Sequence, residues 1–194
     1  MMRPFPIGLT NFNEPMPIMS IRLHSCALII ATAAIALAGA HAASPQTPDQ
    51  KFAKKAAAGG MFEVMLGGVA QKNAEAPDVK EFGSMMVTDH GKAGEELAAI
   101  AAKEGIKLPA KLPKKLQAKV DKISGLTGKA FDAAYVSEMV ADHKKDLAEF
   151  KAAATSLSDP ALKEFAEKTS AVIEKHLSAI QKIQDQMNAA VLPH

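Results

Sequence analysis

Four long segments of the chain place apolar residues at steps of three and four, the spacing of one buried face of an α-helix. The first segment starts with a capping box, in which Thr47 precedes Pro48 and Gln50 follows three residues after Thr47. The chain is also rich in alanine, lysine and glutamate and lacks tryptophan, which favours helices. The predicted fold class is therefore all-α, with helices at about residues 48–73, 77–104, 128–155 and 159–190.

A lysine-rich linker, residues 106–126, separates the second and third segments. Leu116, Val120 and Ile123 have helical spacing within it and predict a short additional helix. The linker exceeds the ~2–8 residues usual between bundle helices and is long enough to run beside a helix of ~40 Å. We therefore expect a ferritin-like four-helix bundle with a short extra helix in the linker between helices 2 and 3, which run parallel. An up-down-up-down bundle is the alternative.

The N-terminal residues have the pattern of a secretory signal peptide. After Met19 come the basic Arg22, an apolar run and an Ala-x-Ala site that ends at Ala42. The apolar run is shorter than the ~20 residues needed to span a bilayer. We expect Met19 to be the true start, residues 1–43 to be a signal peptide with a mis-started extension, and residues 44–194 to form a single helical-bundle domain.

The positions of cysteine and arginine limit the function of the exported part. Cys26 is the only cysteine, and both arginines, Arg3 and Arg22, also precede residue 44. The rest of the chain therefore has no disulfide, no thiolate ligand and no arginine to read a nucleic acid. It also lacks a nucleophile elbow and a further apolar span. We expect a periplasmic binding protein without an integral membrane segment, and association with the outer membrane is the alternative location.

A five-residue string, M-V-x-D-H, occurs twice, at residues 86–90 and again at residues 139–143. Aspartate and histidine have low helix propensity and are seldom buried without a partner. Two copies on two predicted helices therefore indicate a shared task. The candidate tasks are a metal site, a proton relay and a buried polar contact between helices.

Each long segment carries one ionisable residue on its apolar face, close to its midpoint. Midpoints of helices of similar length share one level in a bundle, so these side chains are predicted to converge. Three imidazoles and a carboxylate suit Zn, Cu or Fe. Asp89 and Asp142 are predicted to orient the rings from other helices, because adjacent helical residues point ~100° apart. The predicted metal ligands are Glu63, His90, His143 and His176.

Methionines offer a second metal chemistry in the same strings. Met86 stands four residues before His90, and Met139 stands four residues before His143. Residues four apart share a helix face, and thioether together with imidazole suits Cu(I). The alternative is that these methionines only fill the core.

Two further interpretations do not involve a site for one metal ion. In the first, aspartate and histidine form a metal-free network, and the protein is a structural or interaction module of the cell envelope. In the second, the protein is a ferritin-type redox enzyme whose bridging carboxylates come from Glu63, Asp89, Glu138 or Asp142. No Glu-x-x-His motif occurs on the last three long helices, which argues against a di-iron centre.

Several strings together resemble one protein family. The strings are F-D-x-x-Y-V-x-x-M-V-x-D-H at 131–143, G-M-F-E at 60–63, K-E-F at 80–82, L-P at 108–109 and H-L at 176–177. On these residues the chain resembles the domain of unknown function 4142 family, over essentially the whole exported part. The resemblance implies an exported ferritin-like helical bundle without an established function, whose members are often labelled outer membrane proteins. Ala171 departs from the proline common in the family, which predicts a straighter last helix and a changed depth of His176.

Overall fold

A computed structural model describes residues 45–191, and every regular element in that range is a helix. The all-α prediction is confirmed for these residues. No helix among them combines the length and apolarity needed to cross a membrane. The predicted leader, its cysteine and His194 lie outside the described residues. The helices are α1 Pro48–Asn73, α2 Pro77–Lys103, α3 Lys114–Ser124, α4 Gly128–Ser156 and α5 Pro160–Val191.

Four helix ends differ from the prediction by one residue. α2 ends at Lys103 because the backbone of Glu104 leaves the helical region, with a ψ of 3°. α5 begins at Pro160 because Asp159 acts as its cap and accepts a hydrogen bond from the Leu162 N–H at 2.7 Å. α4 and α5 each continue one residue beyond the predicted end.

The buried apolar side chains of the helices form two clusters, and each cluster takes one half of every long helix. The first cluster joins the C-terminal halves of α1 and α5 to the N-terminal halves of α2 and α4, with α3 packed beside them. The second cluster joins the opposite halves of the same four helices. It follows that α2 and α4 run in one direction, α1 and α5 run in the other, and the chain returns along the helices between α2 and α4. An up-down-up-down order does not describe this arrangement.

Two aspartates fix the turns between paired helices. Ala76, the N-cap residue of α2, has no side-chain group that could cap the helix. Asp132 of α4 takes that role instead and accepts hydrogen bonds from the N–H groups of Glu75 and Ala76, at 3.1 and 2.9 Å. At the other end, Asp49 of α1 accepts in the same way from the two residues that precede α5. Each helix pair therefore caps the turn of the other pair.

Loss of the Asp132 carboxylate is expected to destabilise the fold. Asp132→Ala leaves the backbone N–H groups of Glu75 and Ala76 without an acceptor, at a site where Asp132 itself is only 3 % exposed. Hydrogen bonds to a charged group contribute ~1.5–3 kcal/mol each, so we expect the free energy of unfolding to fall by about 3 kcal/mol. Urea unfolding followed by circular dichroism measures the change. Asp185→Ala, at an exposed position of α5, is the control for loss of one negative charge, and an equal effect in both variants would contradict the capping role.

Candidate metal centre

Three histidines from three helices meet between the two apolar clusters. His90 lies on α2, His143 on α4 and His176 on α5, and the three side chains are 6, 0 and 1 % exposed. The ring centroids are 5.2 to 5.8 Å apart. One nitrogen of each ring lies within 4.8 Å of the corresponding nitrogens of the other two. The rings therefore face a common space that three ligands of one ion can share.

Each ring is held in place through one of its two nitrogens. Nδ1 of His143 donates to the carbonyl oxygen of Met139 at 3.0 Å, one helical turn earlier. Nε2 of His176 lies 3.0 Å from Oδ2 of Asp89, on another helix. Nδ1 of His90 lies 2.9 Å from Oε2 of Glu63. Such outer contacts fix the orientation and the tautomer of a histidine ligand.

The other nitrogen of each ring has no hydrogen-bond partner among the described protein groups. These atoms are Nε2 of His90, Nε2 of His143 and Nδ1 of His176. A neutral imidazole that donates from its outer nitrogen carries a lone pair on the other one. Three outer contacts of this kind therefore leave three lone pairs available within the protein, which is the donor set that a metal ion requires.

Burial keeps the histidines neutral. Removal from water lowers the pKa of His90 to about 4 and the pKa of His143 to about 4. The pKa of His176 is also lowered by burial, against the opposing effect of its hydrogen bond to Asp89. Protonation would block the lone pair that a metal needs. His90 and His143 therefore carry no positive charge at neutral pH, and no proton has to leave a charged ring before it coordinates.

Glu63 of α1 lies beside the three rings and is 2 % exposed. Burial raises its pKa to about 8, and the negative charge of Asp146 contributes to the same shift. Its Oε1 is 3.5 Å from Nε2 of His143, and neither atom has a hydrogen-bond partner. An ionised Glu63 accepts from Nδ1 of His90 and leaves Nε2 free, whereas a neutral Glu63 can donate to Nδ1 and move the ring proton to Nε2. The charge of Glu63 therefore controls one of the three lone pairs.

The structure corrects the role predicted for Asp142. Asp89 lies against a histidine of another helix, but no hydrogen bond joins Asp142 to a histidine within residues 45–191. The carbonyl of Met139 orients His143 instead. Asp142 lies with Glu63 and with Asp146, a residue that the sequence reasoning missed, and one oxygen of each is within 4.8 Å of the other two. The spacing of four residues between Asp142 and Asp146 was the available signal, since it places both on one helix face.

Met86 and Met139 are both fully buried in the first apolar cluster. The aromatic ring of Phe82 packs against the imidazoles there, with its centroid 5.9 Å from His143 and 6.3 Å from His176. Phe82 and the two methionines belong to the same buried apolar cluster. An apolar cluster of this kind excludes water, which strengthens any electrostatic contact that the rings make.

Two cavities reach this region from outside. An apolar cavity of about 760 Å³ is lined by His90, Glu63 and Asp146 together with Met61 and the partly exposed Met65. A smaller cavity of about 430 Å³ has a polar wall that includes several lysines, Asp142 and Asp146. Of the three histidines, only His90 lines either of these two cavities. Asp146 lines both cavities, whereas Glu63 lines only the larger and Asp142 only the smaller.

Comparisons with known proteins identify relatives of the fold. CopM in the Cu(I)-bound form matches with a TM-score of 0.62 and 12 % sequence identity, over 73 % of this chain and 99 % of that chain. A DUF305 protein from Streptomyces coelicolor, described as secreted, matches with a TM-score of 0.61 and 12 % identity, over 71 % of this chain and 92 % of that chain. At such identity these likenesses show a shared fold.

No curated protein matches the sequence. The sequence pattern described as "Domain of unknown function (DUF4142)" matches residues 34–183, which is most of the chain. The chain therefore belongs to the DUF4142 family, as its residue strings predicted.

Proposed function

We propose that this protein binds one transition-metal ion through His90, His143 and His176, with Glu63 as the adjacent carboxylate. The observation that carries the proposal is the convergence of three buried rings. In each ring one nitrogen lies within 4.8 Å of a nitrogen of the other two rings, and one nitrogen has no hydrogen-bond partner in the protein. A buried polar atom left without a partner costs about 1–3 kcal/mol, and the cost applies three times here. A bound ion would give each nitrogen a coordination bond and so remove all three costs.

Copper is the first candidate among zinc, copper and iron. Imidazole ligands suit all three metals, but Cu(I) with three neutral rings and one ionised Glu63 gives a site with no net charge. A buried site strongly favours this balance, since an uncompensated charge is costly away from water. The fold shared with CopM, described in a Cu(I)-bound form, supports the same choice. Thioether ligation by Met86 or Met139 is the variant of the proposal that involves sulfur.

The proposed role is binding of the metal in the periplasm rather than catalysis of a reaction. The pattern of a signal peptide in residues 1–43 motivates the location. The ferritin-like four-helix bundle is part of the proposal, with α3 in the crossover between its second and third helices. It is supported by the parallel course of α2 and α4 and by the two apolar clusters that share the same four helices. The four helices then present their midpoints to a single centre.

The metal-free network is the rival, and one observation favours it. Each of the three rings already has one polar partner, so part of the network is satisfied without an ion. Titration of the protein, purified without a histidine tag, with Cu(I) against a competing chelator separates the two. We expect one Cu(I) bound per chain. Absence of stoichiometric Cu(I), Zn²⁺ or Fe²⁺ binding, together with an intact fold, would leave the network as the function of these residues.

Copper affinity is expected to depend on pH through Glu63. Coordination through Nε2 of His90 requires its Nδ1–H to donate to an ionised Glu63, whose pKa is about 8. Binding at neutral pH therefore releases one proton. Below the pKa, one released proton lowers the affinity about tenfold for each pH unit of acidification, and above it the affinity levels off. His90 and His143 add no slope above about pH 5, because burial lowers the pKa of each to about 4.

Competition titrations between pH 5 and 9, corrected for the chelator, measure this slope. Glu63→Gln is the matched variant, since its amide oxygen can accept from His90 without a proton to release. We expect the slope to disappear in that variant. A slope that ends near pH 6.5, the ordinary pKa of histidine, would show that Glu63 is not the titrating group.

A further inference from the structure

A second group of ligands adjoins the histidines. Glu63 of α1 and the two aspartates of α4, Asp142 and Asp146, place one carboxylate oxygen each within 4.8 Å of the other two. The two aspartates stand four residues apart and share a face of α4, and the packing of α1 on α4 brings Glu63 to them. Three ionised carboxylates this close repel one another unless protons or a cation neutralise their charge.

Lys145 compensates only part of this charge. Its Nζ lies 2.9 Å from Oδ1 of Asp146 and 3.8 Å from Oδ1 of Asp142, while its side chain is 53 % exposed. Oδ2 of Asp142 and Oε1 of Glu63 are buried and have no hydrogen-bond partner. Glu63 is 2 % exposed, so its free oxygen is almost entirely removed from water, and one oxygen of the same carboxylate lies within 4.8 Å of an oxygen of each aspartate. These two oxygens are therefore potential metal ligands that have no hydrogen-bond partner.

We propose that Glu63, Asp142 and Asp146 bind a second cation, a hard divalent ion of the Ca²⁺ or Mn²⁺ type, beside the histidine site. Carboxylate oxygens are the preferred ligands of such ions. Three oxygens within 4.8 Å of one another can all approach an ion at metal–oxygen distances of about 2.3–2.6 Å. The inference builds on the proposed function in one respect only, since Glu63 then lies between the two ions.

The smaller cavity provides access and room for water ligands. It is lined by Asp142 and Asp146, and its lining includes neither Glu63 nor the histidines. Lysines in its wall, among them Lys51, Lys54, Lys55 and Lys145, disfavour a cation by repulsion. Lys145 is therefore a competitor that an entering ion must displace. This competition predicts that removal of Lys145 strengthens binding, which is the opposite of the effect of a ligand.

The test uses Mn²⁺ as the probe, followed by the loss of its free paramagnetic resonance signal. The protein is titrated both metal-free and loaded with Cu(I). We expect one saturable Mn²⁺ per chain. Asp146→Asn should weaken it by about tenfold or more, which corresponds to at least one lost charged ligand. Asp185→Asn, which removes the same charge at an exposed position of α5, should leave Mn²⁺ binding within about threefold, well below one tenfold step.

Lys145→Gln completes the test and keeps it decisive if Asp146→Asn disturbs the fold. It should raise Mn²⁺ affinity severalfold, whereas Lys144→Gln, which removes the same charge at an exposed neighbouring position, should change it less than about twofold. Absence of saturable Mn²⁺ binding overturns the second site. Equal effects of Lys145→Gln and Lys144→Gln also overturn it. Cu(I) binding without Mn²⁺ binding rejects the second site alone, and Mn²⁺ binding without Cu(I) binding rejects the histidine site alone.

Discussion

His143→Ala is expected to reduce the copper affinity by more than about 100-fold. His143 is fully buried, and its Nε2 is one of the three ring nitrogens without a protein partner. Loss of an outer group that only orients a ligand costs about 10–100-fold in metal affinity, so loss of the ligand itself must exceed that range. Competition titration of the folded variant against a Cu(I) chelator measures the change.

Asp89→Asn is expected to reduce the copper affinity less than His143→Ala does. Oδ2 of Asp89 lies 3.0 Å from Nε2 of His176, and the amide replacement keeps an acceptor while losing the charge. We expect a loss within the 10–100-fold range of an orienting group, about tenfold at its lower end. Copper affinity that is unchanged in His143→Ala, with circular dichroism showing a native helix content, would contradict the proposed ligand set.

Gly67→Ala is expected to cause the largest loss of stability among single methyl additions to α1. A β-carbon at Gly67 would lie 2.6 Å from the backbone oxygen of Gly83 and 2.9 Å from Cβ of Met86, both on α2. Because a backbone atom cannot move aside as a flexible side chain can, the two helices must separate. Overpacking of this kind costs about 1–3 kcal/mol, and we expect a net loss of at least 2 kcal/mol.

Gly68→Ala is the matched control one residue later. No atom lies within 4 Å of its added β-carbon. The substitution therefore gains only helix propensity, and we expect it to stabilise the protein by up to ~1 kcal/mol. Urea unfolding of both variants gives two effects of opposite sign. Equal stabilities of Gly67→Ala and Gly68→Ala would contradict the close approach of α1 to α2.

The helices were predictable because their signals are local. The spacing of apolar residues, the capping box at Thr47 and the prolines at helix starts each act within a few residues. The direction of α4 relative to α2 was predictable only as one of two alternatives, since a linker of this length permits a crossover without requiring it. The direction of α4 depends on which helix halves share an apolar cluster, and this is a property of tertiary packing.

The site was predictable to the level of its residues but not of its contacts. His90, His143 and His176 meet because each occupies a buried face near the middle of its helix. The roles of Asp132 and Asp142 were not predictable. Asp132 caps a turn 56 and 57 residues away in sequence. Asp142 lies one residue before His143, but its side chain leaves the helix toward α1 and the other carboxylates, and sequence periodicity cannot specify how two helices are rotated against each other.

X-ray absorption at the copper edge of the Cu(I)-loaded protein tests the central claim most directly. We predict a spectrum dominated by three nitrogen neighbours at about 2.0 Å, with the outer-shell scattering of imidazole rings. His143→Ala should remove one of these neighbours or abolish loading. A first shell made mainly of sulfur, or a spectrum without imidazole scattering, would contradict coordination by His90, His143 and His176.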